Sequence, residues 1–376
     1  MEQASTGGAS KPLSPRALNR ATLARQLLLE RSDLSPLEAL HHLVGLQAQS
    51  PQSWYVGLWS RLNGFDPQTA SQLLEERALV RIALMRAEVH VVTADDCAVL
   101  QPVMRATSLA EFEQSWAERL KSVDREVFVQ RAGEVFAEGA LTYPEIGERL
   151  LEIFSDASPT SLMQAARLLL PLVQTPPRGL WNASGPLAHT TAEAWLGRSL
   201  GPAIAAPQLV KRYLAAFGPA TLPDLEAWAG LPGLGAALEG LRSELVVLRD
   251  PFGREYFDVP DAPRPDSSTP APVRFLHNRD NLLHAYADNS RVTNAEIFAQ
   301  LPSPGDYQGG AVLVDGIVCA VWRLMDSGAS AYLSVAALTG LSDDDAEAIV
   351  AEGRALLAVL EPRAERGVLV AGMQSA

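Results

Sequence analysis

Lysine is nearly missing from this chain: only Lys11, Lys121 and Lys211 occur among its 376 residues. Any covalent chemistry that needs an amine nucleophile is confined to those positions. Cysteine is as scarce. Cys97 and Cys319 lie far apart, each in an apolar setting, which excludes a disulfide framework and fits two reduced, buried thiols in a cytoplasmic protein. The histidines show no zinc-like spacing, so neither a metal nor another cofactor is expected. No apolar run is long enough to cross a bilayer, and no signal-peptide pattern opens the chain, so no membrane partner is expected. Positive charge is outweighed, with a net charge of −13, which argues against nucleic acid on composition alone.

What is present is arginine. Three of the 31 basic residues are lysines, leaving 28 arginines, whose planar forks suit phosphate oxygens. An acidic protein still binds DNA if its basic residues line one groove.

Local signals divide the chain. Ser35-Pro-Leu-Glu38, Thr142-Tyr-Pro-Glu145 and Thr221-Leu-Pro-Asp224 share a capping-box spacing with Pro in the first turn, and a short amphipathic helix follows each. Each helix group leads to a β-rich pair: 81–86 with 89–92, 172–174 with 189–191, and 244–249 with 254–259 around the turn Asp250-Pro-Phe-Gly253. Helices followed by a two-stranded wing follow the winged-helix plan. The predicted fold is therefore α+β, mainly α. It has a flexible tail at 1–17, winged-helix units at 18–125, 126–200 and 201–265, and a mixed α/β segment at 266–376. That last segment predicts a hairpin across Asp315-Gly316 and a helix from Ser342 to Val359 with three acids in its first turn.

The candidate chemistry lies in Leu43-Val-Gly-Leu-Gln47-Ala-Gln49-Ser-Pro51. Two amides interrupt a run that otherwise reads as core, and buried amides need partners. Pro51 disfavours helix at Ser50, so the helix begun at Ser35 should fail near 45–49. In extended chain, Gln47 and Gln49 point the same way. They then either converge on one spot or cap loose carbonyls at a helix end. A carboxamide pair positions a water but cannot take its proton, which suits a substrate that is already activated.

Five stretches carry a resemblance: Leu46-Gln-Ala-Gln-Ser-Pro51, Leu84-Met-Arg-Ala-Glu-Val-His90, Phe217-Gly-Pro-Ala-Thr221, Phe275-Leu-His-Asn-Arg-Asp-Asn-Leu-Leu283, and Val314-Asp-Gly-Ile317 with Trp322. In this order, from about Leu18 to Arg366, they resemble the AlkZ/YcaQ-like family of winged-helix DNA glycosylases, and more narrowly its AlkZ branch. The resemblance implies three winged-helix units around a concave DNA channel. It also implies a Gln-apolar-Gln catalytic motif at Gln47 and Gln49 and removal of cationic N7- or N3-alkylated purines from double-stranded DNA. Unhooking of crosslinks made by genotoxic natural products, as self-resistance, is implied as well. No lysine lies near the amide pair in sequence, so the enzyme is expected to be monofunctional, and a monomer is the default expectation.

The same resemblance places a histidine at His90, as a phosphate or substrate contact or as a hydrogen-bonded structural residue. Arg86, on the same side of an extended strand, would position the DNA backbone. Arg178 and Trp181 resemble a DNA-facing hairpin tip, with a Trp packed beneath its own hairpin as the alternative. The chain departs from the family at His277-Asn-Arg-Asp280, where Pro-acid-Phe-Asp is common, and at Asn289, which stands where an Arg is expected. A winged-helix transcription regulator without catalysis is the competing function; strand scission at alkylated bases separates the two.

Overall fold

Ser35, Thr142 and Thr221 each close a capping box with the acid three residues on, so all three helix starts form where the spacing put them. The computed structural model describes residues 12–301, 308–326 and 330–371. Most of the segment read as a tail, residues 1–11, lies outside the described residues. A helix capped by Ser14 already begins at Pro15 (Pro15–Arg25).

One order of elements recurs three times. First come the helix Pro36–His42, β1 (Leu46–Gln47), the helices Ser53–Trp59 and Pro67–Glu75, then β2 (Leu79–Ala83) and β3 (Val89–Thr93). The helix Ala94–Ser115 leads to the second set: helix Arg125–Val135, β4 (Leu141–Thr142), helices Tyr143–Ile153 and Pro159–Leu169, then β5 (Leu172–Gln174) and β6 (Ala188–Thr191). In the third, helix Ala206–Phe217 is followed by a lone bridge between Ala220 and Phe257. Helices Leu222–Ala229 and Gly235–Gly240, β7 (Val246–Arg249) and β8 (Glu255–Asp258) complete it.

The last part is mixed. It holds β9 (Arg274–Phe275), β10 (Gly309–Val314), β11 (Ile317–Asp326), β12 (Ser330–Ala337), the helix Asp343–Leu360 and β13 (Glu365–Ala371). The Asp315-Gly316 hairpin is present between β10 and β11. Ser342 caps the long helix with Asp345, as its sequence predicts. That helix is the crossover that lets β12 and β13 pair in parallel.

The sheets do not stay within the repeats. β2 pairs with β5 through Arg81–Gln174 and Ile82–Val173, fusing the first two sets into one six-stranded sheet ordered β1-β3-β2-β5-β6-β4. Two cores meet at its edge. Leu46, Ala48 and Val91 pack with Trp54, Phe275 and Trp322, while Val44, Ile82 and Val92 pack with Phe217 and Trp228.

The segment between the two cores is tightly specified. The helix Pro36–His42 ends slightly earlier than Pro51 alone predicts. Val44 and Gly45 then turn with φ of 55° and 88°. A Cβ at Gly45 would lie 2.5 Å from Val92 Cγ1 and 2.8 Å from the Val91 carbonyl, so glycine is required there. This turn converts helix into strand just before Gln47.

Candidate active site

β1 is an edge strand. One side pairs with β3, Leu46 opposite Val91 and Gln47 opposite His90. Ala48 continues the ladder by donating its N–H to the Val89 carbonyl at 2.8 Å. On the open edge, backbone groups must find other partners. They come from the loop 277–281. Asn281 Oδ1 accepts the Gln47 N–H at 3.1 Å, and its Nδ2 donates to the Gly45 carbonyl at 2.7 Å. His277 Nε2 donates to the Gln47 carbonyl at 3.0 Å.

His277 is itself held. Its Nδ1 lies 2.9 Å from Asp280 Oδ2, and Arg61 grips both Asp280 oxygens at 2.7 and 2.8 Å. All three side chains are fully buried. Burial alone would raise the Asp280 carboxyl, but Arg61 and His277 outweigh it and hold Asp280 well below the usual carboxylate range. This chain of contacts gives the 277–280 loop a physical role despite its departure from the family's usual residues: it fixes the main chain of Gln47.

The two glutamine side chains are unequally placed. Gln47 is 1% exposed, and neither its amide oxygen nor its nitrogen has a partner within the described protein. Leaving such a group unmet costs about 1–3 kcal/mol. Gln49 is exposed. His90 lies directly across from Gln47 on the same face of the sheet. Its Nδ1 donates to the Glu88 carbonyl at 2.8 Å, which leaves Nε2 as the ring's acceptor. Burial, reinforced by Arg86, pushes His90 down to about 4. The ring is therefore neutral at neutral pH and cannot neutralise a phosphate.

The turn beside these residues carries charge. Glu88 accepts Arg86 Nε at 3.2 Å and Nη2 at 3.0 Å, and it also pairs with Arg279. Burial would raise Glu88, but the two arginines hold it down, so it is ionised. Arg86 does not share a strand with His90 as expected. β2 stops at Ala83, and Arg86 and Ala87 take φ of 56° and 55° in a tight turn. Arg86 Nη1 donates to the Trp228 carbonyl at 2.7 Å, so its guanidinium ties this turn to the third set of helices.

Residues 176–185 form the loop that joins β5 to β6, so Trp181 lies in a hairpin loop as expected, but its ring does not face outward. Trp181 is buried, its main-chain N–H donates to Ser71 Oγ at 2.9 Å, and its ring meets Tyr55 edge-on at 4.9 Å. It packs inward against the helices Ser53–Trp59 and Pro67–Glu75 rather than beneath its own hairpin. Arg178 is partly exposed near Arg81. The site thus brings together Gln47, His90 and the 277–281 clamp. Sequence reasoning missed Arg61 and Glu88, whose roles depend on contacts across hundreds of positions or on a left-handed turn. Among the described residues no cluster of potential metal ligands occurs, and no helix is long and apolar enough to cross a membrane.

A pH dependence follows. His90, His189 and His284 are each lowered to about 4, by burial first and by nearby arginines second. Unfolded histidine titrates near about 6.5. Depressed folded values mean that the unfolded chain takes up protons first as pH falls. Their stabilisation is complete above about 6.5 and is lost as pH drops through about 4. Urea midpoints measured from pH 8 downward should decline across that window; a flat profile would contradict this.

Comparison with known proteins agrees with the architecture. A family model described as DNA glycosylase AlkZ-like matches residues 40–359. An interstrand DNA cross-link repair glycosylase from Streptomyces sahachiroi is 24% identical over 328 residues, covering 81% of this chain and 86% of that protein. The solved structure of Streptomyces sahachiroi DNA glycosylase AlkZ is similar with a TM-score of 0.76 at 19% identity, covering 96% of this chain and all of that one. At that identity the likeness speaks to the fold.

Proposed function

This chain belongs to the AlkZ-like DNA glycosylase family, and on that premise we propose that it hydrolyses the N-glycosidic bond of cationic N7- or N3-alkylated purines, with Gln47 and Gln49 orienting the water. The observation that carries the reading is the Gln47 amide. It is enclosed, its backbone is held from three sides, and its side-chain oxygen and nitrogen are both unmatched by protein. A fixed amide with free bonding capacity is suited to one small polar guest. The Ala48 N–H on the Val89 carbonyl carries the ladder one residue past β1, which supports Gln49 lying on the same side as Gln47. Gln47 then forms the inner contact and Gln49 the outer.

The chemistry needs no general acid. Water attacks C1′ of the sugar while the C1′–N9 bond (or its counterpart in the lesion) breaks. The bond's electron pair passes to the purine, which neutralises the alkylated ring and lets it depart uncharged. The water's extra proton goes to solvent, since a carboxamide does not hold it. The amide carbonyls also face the positive charge developing on the sugar, a favourable arrangement in a water-poor site. Neutral His90 adds no opposing cation there. An undamaged purine lacks the activating charge, which gives selectivity without a tight pocket.

The thrice-repeated helix–strand–helix–helix–strand–strand order supports winged-helix units at 18–125, 126–200 and 201–265 along a DNA channel, with 266–376 supplying the clamp on Gln47. Similarity to a cross-link repair glycosylase supports bulky adducts or interstrand crosslinks as substrates. Among the described residues both lysines, Lys121 and Lys211, pair with surface carboxylates, in keeping with a hydrolase that lacks lyase activity.

The test is incubation with a duplex carrying N7-methylguanine, then heating in alkali. Scission at the lesion after alkali, above the enzyme-free control, absent before alkali and lost in Gln47→Ala with binding retained, is expected. Binding without scission would leave a winged-helix DNA reader.

A further inference from the structure

Arg81 is an anomaly in the fused sheet. It is 1% exposed, in the middle of β2, on the face opposite Gln47. Across the sheet it lies in register with Val91 and Gln174. Its Nη2 donates to the Ala48 carbonyl at 2.8 Å, while Nε and Nη1 have no partner in the described protein and no carboxylate pairs with it. The chain comes close above it: a Cβ at Gly179 would lie 2.7 Å from Arg81 Nη1. Burial, then the charge of Arg178, lowers Arg81 to about 10, so it stays a cation at neutral pH.

Folding alone does not favour a guanidinium at this position. Withdrawing a charge from water is expensive without a counter-ion, and an apolar chain of the same length would fill the space. What the guanidinium supplies is a rigid, permanently charged donor at a fixed point. The acceptor is the carbonyl between the two glutamines. That carbonyl belongs to the planar peptide joining Ala48 to Gln49. Holding it fixes the plane from which Gln49 projects, beyond the end of β1. On the other side of Ala48, Asn281 and His277 hold the peptide groups of Gln47.

We propose that Arg81 is a positioning residue, which fixes the Ala48–Gln49 peptide so that Gln49 is aimed at the same nucleophile as Gln47. This rests on the glutamine pair being catalytic. Arg81 touches neither DNA nor water in this role; it acts through the main chain.

The test uses the full chain and a duplex bearing one N7-methylguanine, comparing wild type, Arg81→Lys, Arg81→Met and Gln49→Ala. Single-turnover base release at saturating enzyme is expected to fall about a hundredfold in Arg81→Met, the effect of a small misplacement. Arg81→Lys, which keeps the charge but not the fork, should recover part of the loss. Binding of the lesion duplex and its salt dependence should stay at wild-type values in both. Thermal unfolding of each variant is recorded, and Arg81→Lys decides the matter if Arg81→Met does not fold. Full rate in the Arg81 variants with Gln49→Ala inactive would overturn the proposal while sparing the glutamine reading. Weaker binding with a salt slope shallower by about one and an unchanged saturated rate would also overturn it, making Arg81 a phosphate contact. Full rate in Gln49→Ala would defeat the glutamine reading and this proposal with it.

Discussion

Gln47→Met is expected to fold more stably than the wild-type protein and to lose base release by about a hundredfold or more, the scale seen when one oriented polar group is removed from a reacting centre. The two effects have opposite signs for one reason. The Gln47 amide is buried and unmatched by protein, so replacing it with an apolar chain of similar length relieves a desolvation penalty of about 1–3 kcal/mol. The same replacement removes the inner of the two amides that orient the water. A buried polar side chain with a purely structural role behaves otherwise: its loss lowers stability and activity together. Urea unfolding and single-turnover release on the same preparations check this. A less stable, fully active variant would place Gln47 among ordinary core amides.

Asp280→Asn is expected to produce the largest loss of stability. Arg61, Asp280 and His277 are fully buried and mutually bonded. Removing one charge strands the other, a change that costs about 3–5 kcal/mol for a buried pair. Base release should fall as well, because His277 loses the partner that holds it on the Gln47 carbonyl. Acid adds a signature. The folded Asp280 carboxyl is held below its unfolded value. Its contribution is therefore complete above about pH 4 and disappears as pH falls towards the folded value. Wild type should show a steeper decline in stability below pH 4 than Asp280→Asn, in which only the other depressed carboxylates such as Glu88 contribute, and this window is distinct from the histidine window at higher pH. An Asp280→Asn variant of unchanged urea midpoint would contradict this.

What could be read in the sequence was local. Capping at Ser35, Thr142, Thr221 and Ser342 depends on residues three apart, and the Asp315-Gly316 turn on two. The break before Pro51 was legible because proline constrains its neighbour, although the Val44–Gly45 turn ends the helix earlier. What could not be read was set by distant contacts. Arg86 left its expected strand because Glu88 and the Trp228 carbonyl hold it in a left-handed turn. Trp181 turned inward because Tyr55 and Ser71 receive it. Neither the β2–β5 junction nor the clamp of His277 and Asn281 on Gln47 has a signature in residue spacing. The amide pair itself stood out, as polar residues in an apolar run do, but the difference in burial between Gln47 and Gln49 did not.

The claim at the centre is that two amides act on one water. It is tested most directly by single-turnover release of N7-methylguanine from duplex DNA by Gln47→Ala, Gln49→Ala and the double variant. Groups that act as a unit are strongly non-additive. The double variant is expected to be no slower than the slower single variant, with DNA binding retained in all three. Losses that multiply, or a Gln47→Ala protein that releases base at the wild-type rate, would contradict it.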